Sequence, residues 1–381
     1  MSRLTLPQTT PGVASRHVMP HTDVVIESLP KVSLHDHLDG GVRPTTIVEL
    51  AREGGLSLPA DTAGPLADWF RTAADSGSLV SYLETFAVTL SVMQTAPNLS
   101  RIAAEFVEDL AADGVIYGEI RWAPELHTQK GLSIDDAVRA VQSGIEQGIA
   151  NVATSGRTIR IGQLLCAMRQ NDNGLAVAQL AVAHRESGVV GFDIAGPEAG
   201  FPASRLADAF AYLDEHWMPR TIHAGEADGL DSIAGALSDG RALRLGHGVR
   251  LADAIHHARD DDPRAVRMDR LAEWVLNRKI ALEVSPTSNL QTGAFAEYGD
   301  TMADHPFDIL YRLGFTVTVN TDNRLMSGTT LSREIAVLVE VFGYTLDDVL
   351  DFQLNAAQSA FLPADERETL VSLIIDAFER A

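Results

Sequence analysis

Eight times along this 381-residue chain a short apolar or β-branched run is followed by helix-like sequence with apolar residues three and four apart. The runs are 31–37, 114–122, 157–166, 189–196, 220–226, 243–248, 280–286 and 315–322. No other feature constrains the fold so tightly. Strands that alternate with helices build parallel sheets, and eight such units imply a (β/α)8 TIM-type barrel with an outer helical ring. An open doubly wound sheet is the second solution, but no GxGxxG follows the first run, so a dinucleotide-binding reading lacks its key element. Gly114, Gly188 and Gly314 stand where helices should stop before the next strand.

The first connection breaks the rhythm by its length. Residues 41–98 hold two helical patterns, RPTTIVELARE and SLVSYLETFAVTLSVMQ, before the second strand. In a barrel this helical insertion lies on the catalytic face, where a lid belongs. Leu79, Tyr82, Leu83 and Phe86 share one helical face there, as packing residues or as a substrate wall. Residues 1–22 read as a flexible tail, with no apolar core of signal-peptide length, and 23–381 as one barrel domain. No window approaches a transmembrane span.

Barrels place chemistry at the carboxyl ends of their strands. Strand one ends in KVSLHDHLDGG, where His35 and His37 project from the same face, about 7 Å apart at Cα. Strand four ends in Gly196-Pro197-Glu198, strand five in His223 and Glu226, strand six in His247, strand seven in Ser285, and strand eight in Asp322 and Asn323. Packing has no reason to repeat histidines and acids at one end, whereas a metal site does. His35, His37, His223 and Asp322 offer three nitrogens and one oxygen to one ion. Binuclear centres on such barrels normally need a modified lysine near strand four. The three lysines, Lys31, Lys130 and Lys279, all lie elsewhere, so one metal is expected.

Two residues remain beside that ion. Glu226, with no ligand role left, suits proton transfer, because burial readily tunes a carboxyl pKa. His247 between two glycines can take a proton from a metal-bound water or hold the resulting hydroxide. The alternatives are a capping acid and a core histidine. The other eight histidines, His127, His256, His257 and His305 among them, read as surface or structural. Glu119 and Arg121 on strand two read at least as a buried salt bridge.

Composition narrows the partners. With 52 acids against 30 bases the formal charge is −22, which repels phosphate backbones and anionic lipid, so neither nucleic acid nor a membrane is expected. The single cysteine, Cys166, rules out an internal disulfide or a multi-cysteine zinc site and reads as a buried, inert thiol. A cytoplasmic setting is expected, and a homo-oligomer is compatible with the sequence.

The segments SLHDHLDGG, YGEIRWAPELH, DIAGPEAGFP, TIHAGEADG, RLGHGVRL, LEVSPTSNLQTG and TVNTDNRLMSGT, in this order, resemble the motif series of the adenosine deaminase family over about residues 28–360. The resemblance implies a barrel holding one zinc ion per subunit. It would convert adenosine, with 2′-deoxyadenosine beside it, to inosine and ammonia, the partner being a small-molecule purine nucleoside. It implies His35, His37, His223 and Asp322 as ligands, Glu226 as the acid protonating purine N1, and His247 as the residue that orients and deprotonates the zinc-bound water. Asp39 would contact the ribose side, and the Gly196 N–H would meet purine N3.

Two positions depart from the common pattern. Pro197 stands where an acid or amide is more usual. Asn323 replaces an aspartate that donates to N7, a bond the Asn amide can also make. Both bear on base selectivity. The nearest rivals keep the barrel and change the substrate to aminofutalosine, adenine or a nucleotide, with Arg43, Arg71 and Arg324 as phosphate contacts. More distant rivals are an amide- or ester-cutting hydrolase and a silent binding protein.

Overall fold

The structure is a computed structural model that describes residues 16–257 and 266–381. Eight parallel strands form two four-stranded sheets. Lys31–His37, Val115–Trp122, Arg160–Met168 and Val189–Ala195 pair in sequence order. Thr221–Ala224, Arg244–His247, Ala281–Val284 and Val317–Val319 do the same. At the seams, parallel bridges join Phe192 to Arg220 and Asp36 to Asp322. The strands therefore follow one another in the order of a (β/α)8 barrel, and each expected run overlaps an observed strand. Gly225-Glu226, expected as strand, has left the ladder, and past Val319 the eighth strand continues only as the single Asp36–Asp322 bridge; these ends form the mouth.

Helix boundaries follow local chemistry. Ile134–Ala153 starts on Ser133, whose hydroxyl accepts the Asp136 N–H, and carries Asp135 and Asp136 in its first turn. Gly114, Gly188 and Gly314 take φ of 82°, 95° and 85°, the left-handed turn that ends a helix.

The insertion holds four helices where sequence periodicity suggested two: Pro44–Gly54, Ala63–Ala74, Leu79–Glu84 and Phe86–Val92. Ala63–Ala74 was hidden because Gly64 and Pro65 occupy its first turn, a place where Pro is tolerated. The longer pattern divides at Thr85, whose hydroxyl bonds back to the Tyr82 carbonyl at 2.7 Å.

The expected tail differs too. Residues 1–15 lie outside the described residues, as does the acidic stretch within 258–265. From His17 onward the chain is held, with Val18 bridged to Val25, Met19 buried, and the His17 ring 2.7 Å from Glu27. Ile255–His257 and Val266–Met268 form a small antiparallel pair that periodicity did not reveal. Among the described residues no helix is long and apolar enough to cross a membrane.

Barrel interiors are normally filled by branched apolar side chains. Here buried charges fill the middle. Arg121 reaches Asp193 at 2.8 Å and Glu283 at 2.7 Å, and Arg244 reaches Glu283 at 2.6 Å and also Glu119. Burial opposes ionisation of Glu283, but Arg121 and Arg244 outweigh it and hold its pKa well below the ordinary value. Cys166 is buried beside this network.

Candidate active site

The mouth is built directly above these charges. The Nε2 of His37 lies 3.3 Å from the Nε2 of His223 and 3.4 Å from Asp322 Oδ1, and His35 Nε2 lies 3.3 Å from the same oxygen. Donors each about 2.0–2.1 Å from one zinc ion lie about 3 Å or somewhat more apart, so these three spacings fit a shared ion. The backbone aims them. Asp322 adopts φ 58°, a left-handed conformation costing a non-glycine residue about 1–2 kcal/mol, and so points back across the barrel axis.

The opposite ring nitrogens are held from below. His223 Nδ1 sits 2.8 Å from Asp193 Oδ2 and His35 Nδ1 3.2 Å from Glu283 Oε2. A carboxylate on Nδ1 keeps the proton there and leaves the Nε2 lone pair for a metal. Arg121, by pairing with both carboxylates, anchors the two histidines together, more than the salt bridge read from sequence. Asp322 Oδ2 accepts from Ser288 Oγ at 2.6 Å.

His247 also belongs to the cluster. With His35, His223 and Asp322 it forms a group whose donor atoms all lie within 4.8 Å of one another. Its two nitrogens have other neighbours, however. Asn289 Nδ2 lies 3.0 Å from Nδ1, and Glu226 Oε2 lies 3.5 Å from Nε2. Asn289 Oδ1 accepts the Ser285 N–H, so its amide nitrogen faces the ring; by that assignment Nδ1 is an acceptor and Nε2 carries the proton. His37, with spacings of 3.3 Å to His223 and 3.4 Å to Asp322, lies in the same cluster.

Glu226 is buried, and its Oε1 has no partner. Burial first, then the charges of Asp322 and Glu198, push its pKa well above the ordinary carboxyl value. A carboxyl pushed toward its protonated form, with an oxygen left free beside a recess, is equipped to donate a proton. That recess, about 300 Å³, is lined by Glu226, Pro197, Leu79, Val80 and Thr292 among others. Leu79 therefore lines this recess, while Leu83 and Phe86 are not in its wall. Tyr82 is buried with its hydroxyl among Asn323, Ser288 and Ser327.

The remaining expected contacts surround the mouth. Asp39 is buried, its Oδ1 4.0 Å from His37 Nδ1, and burial raises its pKa to about 7. Gly196 takes φ 95° with Gln170 Oε1 under it, so a side chain would both strain the turn and collide. Asn323 packs against Gly40, where a Cβ would meet its Oδ1 at 1.9 Å. Sequence reasoning missed Asp193, Glu283, Ser288 and Asn289. The signal was an acid at an interior position of an otherwise apolar strand, in GFDIAG and LEVSP.

A metal-binding hydrolase centre at the mouth of a (β/α)8 barrel is the class that this fold and donor set define. Comparisons with known proteins agree. The family described as adenosine deaminase matches residues 30–377. Adenosine deaminase 1 of Streptomyces coelicolor is 54% identical over 351 residues, covering 92% of this chain and 87% of that protein. The apo N6-methyl-AMP deaminase of Arabidopsis thaliana superposes with a TM-score of 0.76 at 25% identity, over 93% of this chain and 99% of that one. A zinc-bound amidohydrolase from Burkholderia ambifaria gives 0.78 at 23% identity, over 96% of each chain. The chain belongs to the adenosine deaminase family, whose members are metal-dependent enzymes.

Proposed function

We propose that the chain hydrolyses the 6-amino group of adenosine and 2′-deoxyadenosine, releasing ammonia and leaving the inosine product. The observation that carries the reading is the buried Glu226 carboxyl, with one oxygen partnerless and the other 3.5 Å from His247 Nε2, in the cluster that also holds His35, His223 and Asp322. Attack at an aromatic carbon disrupts the ring, so it needs both a strong nucleophile and a proton delivered to the ring. A zinc ion held by His35, His37, His223 and Asp322, one per subunit, would supply the first by lowering the pKa of water to about 7.

The chain's own residues do the rest. Glu226 donates its proton to N1, which draws electron density away from C6. The proton remaining on the attacking oxygen then passes to the amino group, which leaves as ammonia. The proton given up when the water ionised restores the Glu226 acid. The Asn289 contact favours the second of the roles open to His247: its Nε2–H holds the attacking oxygen in line. Asp39 meets the ribose side, the Gly196 N–H meets N3, and the Asn323 amide meets N7. One barrel domain over residues 23–381, working in the cytoplasm, completes the reading.

The cations suggested as phosphate contacts are paired with carboxylates, although Arg324 keeps its Nη2 without a hydrogen-bond partner. Arg43 pairs with Asp109 at 2.7 Å, Arg324 with Asp36 at 2.8 Å, and Arg71 with Asp68. This supports a nucleoside over a nucleotide. Zinc-loaded protein incubated with adenosine, 2′-deoxyadenosine, adenine, AMP and aminofutalosine, and followed by ultraviolet absorbance, tests it. Fast, chelator-sensitive loss of adenosine is expected. Turnover of another compound alone would move the substrate, and silence in all five would overturn the reading.

A further inference from the structure

The hydrogen-bond pattern around Glu198 has no counterpart elsewhere among the described residues. Its side chain is buried, and its two oxygens accept five hydrogen bonds. Oε1 takes the Gly225 N–H at 2.6 Å and the Ser232 hydroxyl at 2.5 Å. Oε2 takes the N–H groups of Glu226 at 3.0 Å, Ala227 at 2.6 Å and Asp228 at 3.1 Å. Four successive backbone amides thus converge on one carboxylate, the concave arrangement that short turns use to bind anions. Here the anion belongs to the chain itself.

The turn it fills is the one that bears Glu226. That turn cannot hold its shape by side-chain packing, because Gly225 has no side chain and sits at φ 75°, where a Cβ would strike Ile233 at 2.6 Å. Left without Glu198, four buried or half-buried N–H groups would point at nothing. Glu198 itself rides two residues behind Gly196. One side chain therefore ties the loop proposed to meet the N3 edge of the base to the turn proposed to protonate its N1 edge.

We propose that Glu198 is a positioning residue, which by filling this amide nest fixes the Glu226 carboxyl against the purine ring. The inference rests on the deaminase reading for its catalytic consequence, though not for the nest. Bonds to amides and hydroxyl orient the turn before substrate arrives, and the Glu226 contact strengthens as N1 takes its proton. A misplacement of about 1 Å at such a contact costs about 10²-fold in rate. The loss falls on kcat, since the interaction matures in the transition state.

Glu198→Gln is nearly isosteric but turns an NH2 group onto N–H donors. It should lower kcat for adenosine about 10²-fold, with KM within about threefold and bound zinc unchanged. Hydrogen exchange of the amides at 225–228 should accelerate in the same variant. Glu198→Asp, which keeps the carboxylate, should recover at least about tenfold of the loss, and serves alone should the glutamine variant fail to fold. Normal kcat, a loss confined to KM, or unchanged exchange at 225–228 would overturn the proposal. Should wild-type protein turn over no aminopurine, the deaminase reading fails, while the exchange measurement still decides the nest by itself.

Discussion

Two layers of buried charge lie one above the other in this barrel, and they are built on opposite rules. In the lower layer every charge faces its opposite: Arg121 between Asp193 and Glu283, Arg244 between Glu283 and Glu119. In the upper layer donors face donors, with three imidazoles and Asp322 turning lone pairs toward a common point and Glu226 keeping an oxygen free. The lower layer pairs each of its charges without a ligand. The upper one does not, and buried lone pairs without partners are costly unless something binds them. The difference marks where a metal and substrate belong, and it shows why the histidines stay in place: their Nδ1 atoms are roped to the lower layer.

The most direct way to break the upper layer is to remove a donor. His223→Ala should abolish metal binding and reduce turnover by at least about 10⁴-fold, since the nucleophile disappears with the ion. Metal analysis after gel filtration, beside the adenosine assay, checks both. Retention of a full equivalent of zinc would shift the fourth donor role toward His247.

Glu226→Gln separates the layer's two duties. It should keep zinc and lose about 10²–10⁴-fold in kcat, the range a positioned acid supplies. The sign of the pH dependence follows from its raised pKa. Only the protonated acid donates, so the wild-type rate should fall as pH rises through that pKa, and this alkaline limb should vanish in the variant. A pH–rate profile of kcat on both proteins reads it.

Breaking the lower layer should look different. Arg121→Met leaves Asp193 and Glu283 buried without their shared cation, a change that costs about 3–5 kcal/mol when one partner of a buried pair is removed. Because those carboxylates hold His223 and His35, metal affinity should also drop about 10–100-fold. Thermal unfolding with and without zinc, and chelator competition, measure the two effects. An unchanged metal affinity would separate the layers.

The same contrast explains what could be read from the chain. The upper layer was legible because its residues interrupt strands at their carboxyl ends, where His35, His37, His223, His247 and Asp322 stand out against apolar runs. The eight strands were legible as short apolar or β-branched runs set against helical periods, as strands buried on both faces read. The lower layer was not. Asp193 and Glu283 occupy interior strand positions whose partners come from distant strands, so no local spacing pairs them. Nor does sequence reveal that Glu198 folds under the turn at 225–228, since the contact spans 27 residues or more. The helix Ala63–Ala74 escaped notice through its Gly-Pro start, and the break at Thr85 through a single hydroxyl.

The smallest expected effect tests the orientation of one ring. Asn289 is the neighbour that makes Nδ1 of His247 an acceptor and so directs the Nε2–H toward the mouth. Asn289→Ala removes that donor, lets the proton choose either nitrogen, and leaves every proposed metal donor untouched. A ring free to present the wrong tautomer part of the time should lose about tenfold in kcat, corresponding to one ordinary hydrogen bond of about 1.4 kcal/mol, with zinc content and KM held. Asn289→Asp separates orientation from tautomer. Its carboxylate would accept a hydrogen bond from Nδ1–H, which holds the proton on that nitrogen and leaves Nε2 bare, converting a hydrogen-bond donor into a base. If His247 works by holding the oxygen, the Asp variant should be slower than the Ala variant. A faster Asp variant would mean that His247 works by removing the proton.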